Sequence, residues 1–335
     1  MDDNLTFKAL VIREGEDGRF SRSIEGKQVK DLPPGEVLIK SSFAGLNYKD
    51  ALSASGHRGI SRNYPHTPGV DVCGIVAASN SSNFKEGDEV IVTGYDLGMN
   101  TSGGFQEYVR VPEGWVVPKP GGLSLKEAMV YGTAGFTAAL SLYKMERMGQ
   151  NPQMGEVLVT GSTGGVGSMA VGILAKAGYD VIASTGKKDA QAHLTKLGAK
   201  RIEGREFAND ETGRPLLRSQ WAGAIDTVGG NTLATCVKAC QRKGSVASCG
   251  LVGTHELHMT VYPFLLNGVN ILGVDSAETD MDLRKELWTR LSNKWKIADL
   301  ESYGTFVPLG QIIHQMDLIL KGKTKGRVVV DFNLI

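Results

Sequence analysis

Cysteine is scarce in this 335-residue sequence: Cys73, Cys236, Cys240 and Cys249 are all there is, and no two form a C-x-x-C. That spacing leaves reduced structural thiols rather than a metal site. Cys236 and Cys240, four apart, are expected on one helix. Histidine is scarce as well, with six. His57, His66, His255 and His258 have no cysteine or acid at a recognisable ligand spacing, so they read as surface or packing residues. An excess of one charge is also missing, since 37 basic residues stand against 36 acidic ones for a net +1. Nucleic acid or an anionic membrane as the main partner would need a larger excess, so a small-molecule partner is expected. No uninterrupted apolar run reaches membrane-spanning length. The acidic start Met1-Asp2-Asp3-Asn4 lacks the basic and apolar regions of an export signal. Neither export nor insertion is supported, and the cytoplasm is the expected compartment.

Glycine, by contrast, is abundant: 43 residues without a collagen period, which marks tight turns and close backbone approaches. Hydrophobic residues at 41 % and charged residues at 22 % are enough for a buried core. The length suits two domains.

The order of patterns supports that division. Phe7-Lys-Ala-Leu-Val-Ile12, Gly35-Glu-Val-Leu-Ile-Lys40 and Asp88-Glu-Val-Ile-Val92 are β-rich runs separated by dense turn chemistry, so a β-barrel-like domain is expected first. After Pro118-Lys-Pro-Gly-Gly122, Ser124 and Glu127 fit a capping box and predict a helix start. Strand and helix patterns then alternate to about residue 275, which implies βαβ units and a parallel sheet. Helices near 281–291 and 309–320 precede a last strand, Gly326-Arg-Val-Val-Val-Asp331, expected to return to the first domain.

The chemistry gathers at Gly161-Ser-Thr-Gly164-Gly165-Val-Gly167, after the apolar run Val157-Leu-Val-Thr160 and before an apolar helix. This G-x-x-G-G-x-G form differs from G-x-G-x-x-G but offers the same physics. The backbone turns sharply, approaches a pyrophosphate closely and exposes N–H groups at a helix N-terminus. A merely structural tight turn is the alternative. At the end of the next strand, where an NAD enzyme carries Asp or Glu, stands Ser184-Thr185-Gly186-Lys187-Lys188. Hydroxyls and lysines suit the 2′-phosphate of NADPH, which a carboxylate would repel. Lys187 and Lys188 would equally serve as a solvated helix start.

Gly45-Leu-Asn47-Tyr48-Lys49-Asp50 and Pro68-Gly69-Val70-Asp71 resemble the medium-chain dehydrogenase/reductase superfamily. Its zinc alcohol dehydrogenases carry a ligand Cys in the first segment and Gly-His-Glu in the second. Asn47 and Val70-Asp71 stand here instead, and the cysteine-rich structural-zinc lobe is missing, so no metal is expected. Tyr131–Ala138, Trp221–Gly229, Cys249-Gly-Leu251 with Gly253, and Gly273-Val-Asp-Ser276 extend the resemblance to the YhdH/YhfP quinone-oxidoreductase-like branch, nearly over the whole chain. The resemblance implies an α/β protein with a Rossmann doubly wound parallel sheet (125–275) inserted in a β-rich, barrel-like (GroES-like) catalytic domain (1–124 and 276–335). It implies hydride transfer from NADPH to a conjugated acceptor, an enoyl-CoA such as acrylyl-CoA or a quinone. Tyr48 and Asn47 would be catalytic. Tyr48 would also lie by the nicotinamide, with Gly161, Thr163, Gly164, Gly165, Val166 and Gly167 on the pyrophosphate. Ser184, Thr185 and Lys187 would hold the 2′-phosphate. Leu251, Leu265 and Ser276 would line the nicotinamide pocket, and Arg327 would reach the cofactor. The strand Asn270-Ile-Leu-Gly-Val274 resembles the edge through which relatives dimerise, so a homodimer is expected. Three alternatives stay open: Tyr48 as a stacking residue only, Asp226 as a turn cap, and the whole chain as a non-catalytic NADPH sensor or RNA-binding protein.

Overall fold

The computed structural model describes residues 4–334, so Met1-Asp2-Asp3 of the acidic start lie outside the described residues. The first element is the antiparallel pair β1 (Thr6–Glu14) and β2 (Phe20–Gln28). Then come β3 (Val37–Gly45), α1 (Tyr48–Ser53), β4 (Asp71–Ser79), β5 (Glu89–Thr93), β6 (Tyr108–Val111) and β7 (Val116–Pro118). Helix α2 (Leu125–Arg147) follows, starting at the expected capping box. There Ser124 N donates to Glu127 Oε2 at 2.9 Å and Glu127 N donates to Ser124 Oγ at 3.0 Å.

From there the chain alternates: β8 (Val157–Val159), α3 (Gly165–Lys176), β9 (Val181–Ser184), α4 (Gln191–Lys196), β10 (Arg201–Glu203), β11 (Trp221–Asp226), α5 (Gly230–Lys238), β12 (Cys240–Ser248), α6 (Tyr262–Asn267) and β13 (Asn270–Gly273). The closing elements are α7 (Met281–Ser292), β14 (Gly304–Val307), α8 (Ile312–Leu320) and β15 (Arg327–Asp331).

Two compact units result. One holds the chain up to Thr133, with Ala277–Ser292 and the stretch from Asp299 on; the other holds Ala134–Ser276 and Asn293–Ala298. The first break therefore falls inside α2 rather than at residue 124. Gly132 is non-helical there, with φ 48° and ψ −154°, a conformation that glycine adopts at little cost.

The first unit is built on a mixed sheet in the order β14-β15-β3-β4-β5-β7, with β6 beside β3. The last strand does return: β15 runs antiparallel to β3, pairing Val329 with Gly45. Leu10, Ile12, Leu46, Phe105, Val328 and Val330 share one core there, and Val37, Ile39, Val72, Val90 and Val92 another. Each such side chain contributes about 1.5–3 kcal/mol on burial.

The second unit is an all-parallel sheet in the order β10-β9-β8-β11-β12-β13. Helices cover such sheets on both faces, so the strands read as continuous apolar runs; β8 (VLV) and β11 (WAGAID) are buried at every residue. The strand order reverses between β8 and β11, and ligand crevices open at that point beyond the carboxyl ends of the strands. Cys236 lies in α5 but Cys240 opens β12, so the two do not share a helix. Only Ala239 separates the two elements, so no turn signal marks the change in the sequence. All four thiols are free, and all but Cys249 are buried. Among the described residues no helix is long and apolar enough to cross a membrane.

Candidate active site

In the second unit the glycine-rich loop joins β8 to α3. Gly161 sits at φ 56°, and a Cβ there would stand 2.3 Å from Thr227 Oγ1. A Cβ on Gly167 would stand 2.3 Å from Gly161 O, so these two glycines let the loop fold against the first turn of α3. Gly164 differs. It caps α3 at φ −76°, open to any residue, and its nearest foreign atom would be Gly161 O at 3.3 Å. Its bareness leaves the N–H groups of that helix end open to an anion. Two straps pin the loop to β11: Thr160 Oγ1 donates to Asp226 Oδ1 at 2.6 Å, and Thr227 Oγ1 donates to Thr160 O at 3.0 Å. Asp226 also accepts from Gly229 N at 2.8 Å, which makes it the cap of that turn.

The residues after β9 come to the same loop. Ser162 N donates to Ser184 O at 3.1 Å, Thr163 Oγ1 lies 3.2 Å from Thr185 Oγ1, and Lys187 N donates to Thr185 Oγ1 at 3.1 Å. Ser184 itself is buried, and its hydroxyl donates to Gly204 O at 3.1 Å. That hydroxyl is turned into the protein, away from the role expected of it. Arg205 stands near the place instead: its guanidinium packs over Gly186, where a Cβ would come within 2.1 Å of Nη2. It is exposed, and among the described residues no carboxylate stands within ion-pair distance of it. Sequence reasoning missed it because it follows the three-residue strand β10, with no spacing rule linking it to Lys187.

Ser276 accepts from Thr137 Oγ1 at 2.8 Å. Leu251 and Leu265 are 66 % and 75 % exposed, unusual for leucines unless something covers them. The loop carrying Leu251 folds over the end of β11, with Cys249 N donating to Asp226 O and Gly253 N to Val228 O.

The first unit holds a buried ionic cluster. Asp71, at the start of β4, is fully buried and accepts from Thr133 N at 2.9 Å, Asn47 Nδ2 at 2.8 Å and Arg327 Nη2 at 3.2 Å. Arg327, 2 % exposed, spends its other donors on Val130 O, Leu46 O and Asn47 Oδ1. It therefore faces inward, which corrects the expectation that it reaches the cofactor. Bare glycines make room for the cluster: a Cβ on Gly132 would stand 2.3 Å from Asp71 Oδ2, and one on Gly45 2.6 Å from Arg327 Nη2. Asn47 is the N-cap of α1 and hands its amide to the cluster, so it orients rather than faces out. Tyr48, the next residue, is 42 % exposed, and its hydroxyl makes no hydrogen bond to the described residues.

Asp50 completes the arrangement, accepting from Asn47 N at 2.7 Å and Val70 N at 2.9 Å. Burial, with Asp71 nearby, outweighs those donors and Arg327 and pushes its carboxyl up from 3.8 to about 7. The folded protein thus keeps a proton that the unfolded chain releases near pH 4. Stability from this group is complete below that pH and is lost as pH rises through 7. Between pH 5 and 7, wild type should lose about 1.4 kcal/mol per pH unit relative to Asp50→Asn. Calorimetric Tm curves of the two proteins check this; wild type gaining on the variant with rising pH would overturn it.

The zinc position of the fold does not fit a metal here. Asn47 and Asp71 offer one amide and one carboxylate where zinc takes three or four soft or imidazole ligands. The Arg327 guanidinium lies against that carboxylate. Among the described residues no three His, Cys, Asp or Glu side chains gather as a metal site. His66 is buried with Nε2 against Gly98 O, and His258 pairs with Glu256 at the surface.

Comparison with known proteins agrees with this construction. Residues 33–121 match the alcohol dehydrogenase GroES-like domain family, and residues 165–293 the family described as zinc-binding dehydrogenase. The chain belongs to the medium-chain dehydrogenase/reductase superfamily of oxidoreductases. Within it, the chain is 46 % identical to the putative quinone oxidoreductase YhfP of Bacillus subtilis, covering 97 % of this chain and 98 % of that one. It is 41 % identical to the acrylyl-CoA reductase AcuI of Ruegeria pomeroyi, over 98 % and 99 %. The crystal structure of B. subtilis YhfP with NAD bound superposes with a TM-score of 0.95 at 46 % identity, over 98 % and 100 % of the two chains. The YhdH oxidoreductase of Salmonella enterica in complex with NADP gives 0.93 at 41 %, over 97 % and 99 %.

Proposed function

We propose that this chain is a metal-independent, NADPH-dependent reductase of the conjugated C=C of a short enoyl-CoA such as acrylyl-CoA. The observation that carries the proposal is the Asp71–Arg327 pair standing where the fold would hold a Lewis acid. Without such an acid nothing binds an alkoxide or lowers an alcohol's pKa, so alcohol oxidation is poorly served. A carbon already activated by conjugation needs only hydride and a proton. The relative AcuI, named an acrylyl-CoA reductase, supports this choice of acceptor. Reduction of a quinone is the second reading, favoured by the name of YhfP.

The residues fit NADPH. The backbone of Gly161, Thr163, Gly164, Gly165, Val166 and Gly167 would hold the pyrophosphate; Thr185, Lys187 and Arg205 would hold the 2′-phosphate; Tyr48, Leu251, Leu265 and Ser276 would face the nicotinamide. When bound, NADPH supplies the hydride. Addition at the β-carbon moves the π electrons onto the thioester oxygen as an enolate. The Tyr48 hydroxyl then donates to that oxygen or delivers the proton that the α-carbon takes up. NADPH oxidation measured in parallel on acrylyl-CoA, crotonyl-CoA and a panel of quinones tests the reading. Turnover of the quinones alone would replace it with the second, and full loss of activity on chelation, restored by zinc, would end the metal-free claim.

Cofactor choice gives its own result. Lys187→Ala combined with Arg205→Ala should raise the KM for NADPH about tenfold or more, while kcat and the KM for NADH stay near wild type. That pattern marks the loss of uniform binding. An unchanged NADPH KM would move the phosphate site elsewhere. We also place the protein in the cytoplasm as a homodimer. Edge strand β13 has Ile271 exposed, with Val261, Tyr262 and Leu266 exposed nearby; light scattering decides the oligomeric state.

A further inference from the structure

The segment from Tyr48 to Asp71 shows solvent only one sign of charge. Its two carboxylates, Asp50 and Asp71, are both fully buried in the ionic cluster. Lys49, His57, Arg58 and Arg62 are all exposed. Other arginines of the same unit, Arg13, Arg19 and Arg22, each hold a carboxylate. Arg58 pairs with Glu14, but among the described residues Lys49 and Arg62 have no carboxylate within ion-pair distance. In a chain of net charge +1, such a strip is a local departure from balance.

The strip is also held in place. Arg58 lies 5.6 Å from the ring centre of Phe20 and 5.4 Å from that of Tyr64, and its Nη1 donates to Arg62 O at 2.8 Å. Tyr64 Oη donates to Ser53 O at 2.8 Å, and Ser53 and Ser61 hydroxyls meet at 2.7 Å. Gly59 N donates to His57 Nδ1 at 3.2 Å, so the neutral ring carries its proton on Nε2. Lys49 follows Tyr48 on α1, and His57, Arg58 and Arg62 lie in the segment after that helix.

We propose that Lys49, His57 and Arg62 form the docking strip for the phosphorylated nucleotide tail of the CoA thioester, with Arg58 as its rigid backing. The inference rests on the enoyl-CoA reading and specifies how that substrate class is told from a quinone. An acrylyl group is too small to be selected by contacts of its own. The tail carries several negative charges that exposed cations attract and charge-assisted hydrogen bonds fix. Arginine matches a phosphate with two parallel donors, and lysine answers as a point charge.

The test compares acrylyl-CoA with acrylyl-pantetheine, which keeps the acyl group and thioester but carries no phosphate. In Lys49→Gln/Arg62→Gln the KM for acrylyl-CoA should rise about tenfold, and that for acrylyl-pantetheine much less. The rise of the wild-type KM for acrylyl-CoA with salt should flatten in the variant. Equal effects on both thioesters, or none on either, would overturn the strip. A readout free of turnover uses adenosine 3′,5′-bisphosphate, titrated calorimetrically into NADPH-saturated enzyme so that the cofactor site is closed to it. Binding to wild type that weakens about tenfold in the variant supports the strip, and no binding to wild type overturns it. Should neither thioester be reduced, the enoyl-CoA reading fails, and the titration still decides the strip.

Discussion

Arg327→Met should destabilise the protein by about 3–5 kcal/mol in urea or guanidinium unfolding. The methionine keeps most of the volume, so packing is not the main loss. What is lost is the guanidinium that pairs with Asp71, a carboxylate with no exposure to water. Removing one partner of a buried pair leaves the other charge uncompensated, at a cost of about that size. The carbonyls of Leu46 and Val130 lose their donor in the same change, and an orphaned buried acceptor adds about 1–3 kcal/mol at most. Asp71→Asn placed on top should recover part of the loss, because the second charge is then gone, and the double-mutant cycle should show strong coupling. A cost below about 1 kcal/mol for the single change would mean that Asp71 is neutralised by other means.

Tyr48→Phe should lower kcat by about 10²-fold or more, within the range of general acid catalysis, with the affinity for NADPH nearly unchanged. The ring stays and only the hydroxyl goes. That hydroxyl is open to solvent at the first residue of α1, while the helix beneath it is clamped by Asn47 and Asp50. A group free of internal partners can meet charge that develops on an acceptor oxygen, and a fixed helix end keeps it aimed. Turnover at the wild-type rate in the Phe variant, with NADPH affinity lost in Tyr48→Ala, would assign the ring to stacking and the proton to water.

Local rules carried most of the fold into view. Ser124 and Glu127 form the expected capping box, and the apolar runs at 157–160 and 326–331 are strands. Elements without such signatures stayed hidden. Strand β2 (FSRSIEGKQ) is polar and only half buried, and β10 (RIE) has three residues. The site divides in the same way. The glycine loop is legible because its physics is local, whereas the partners of Asp71 arrive from the N-cap of α1, from α2 and from β15. No spacing in the sequence links Asn47, Thr133 and Arg327. The segments carrying Asn47 and Asp71 were conspicuous as lost zinc ligands. That they buy an ionic cluster instead, and that Ser184 turns inward while Arg205 lies over Gly186, are facts of tertiary contact.

The Asp71–Arg327 pair closes a separation of 256 residues, and this orders events on the ribosome. All of the second unit lies between the two partners, and most of it is one unbroken stretch, Ala134–Ser276. It can collapse as soon as it emerges, since domains fold as units during synthesis. The first unit has to wait. Until Arg327 leaves the exit tunnel, β15 cannot pair with β3, and the nascent sheet must keep Asp50 and Asp71 in water or bury them without a countercharge. Translation that stalls before residue 327 should therefore release a chain whose later-made half is native and whose earlier-made half is open to protease. Limited proteolysis of stalled nascent chains, read against the full-length product, would show that inverted order.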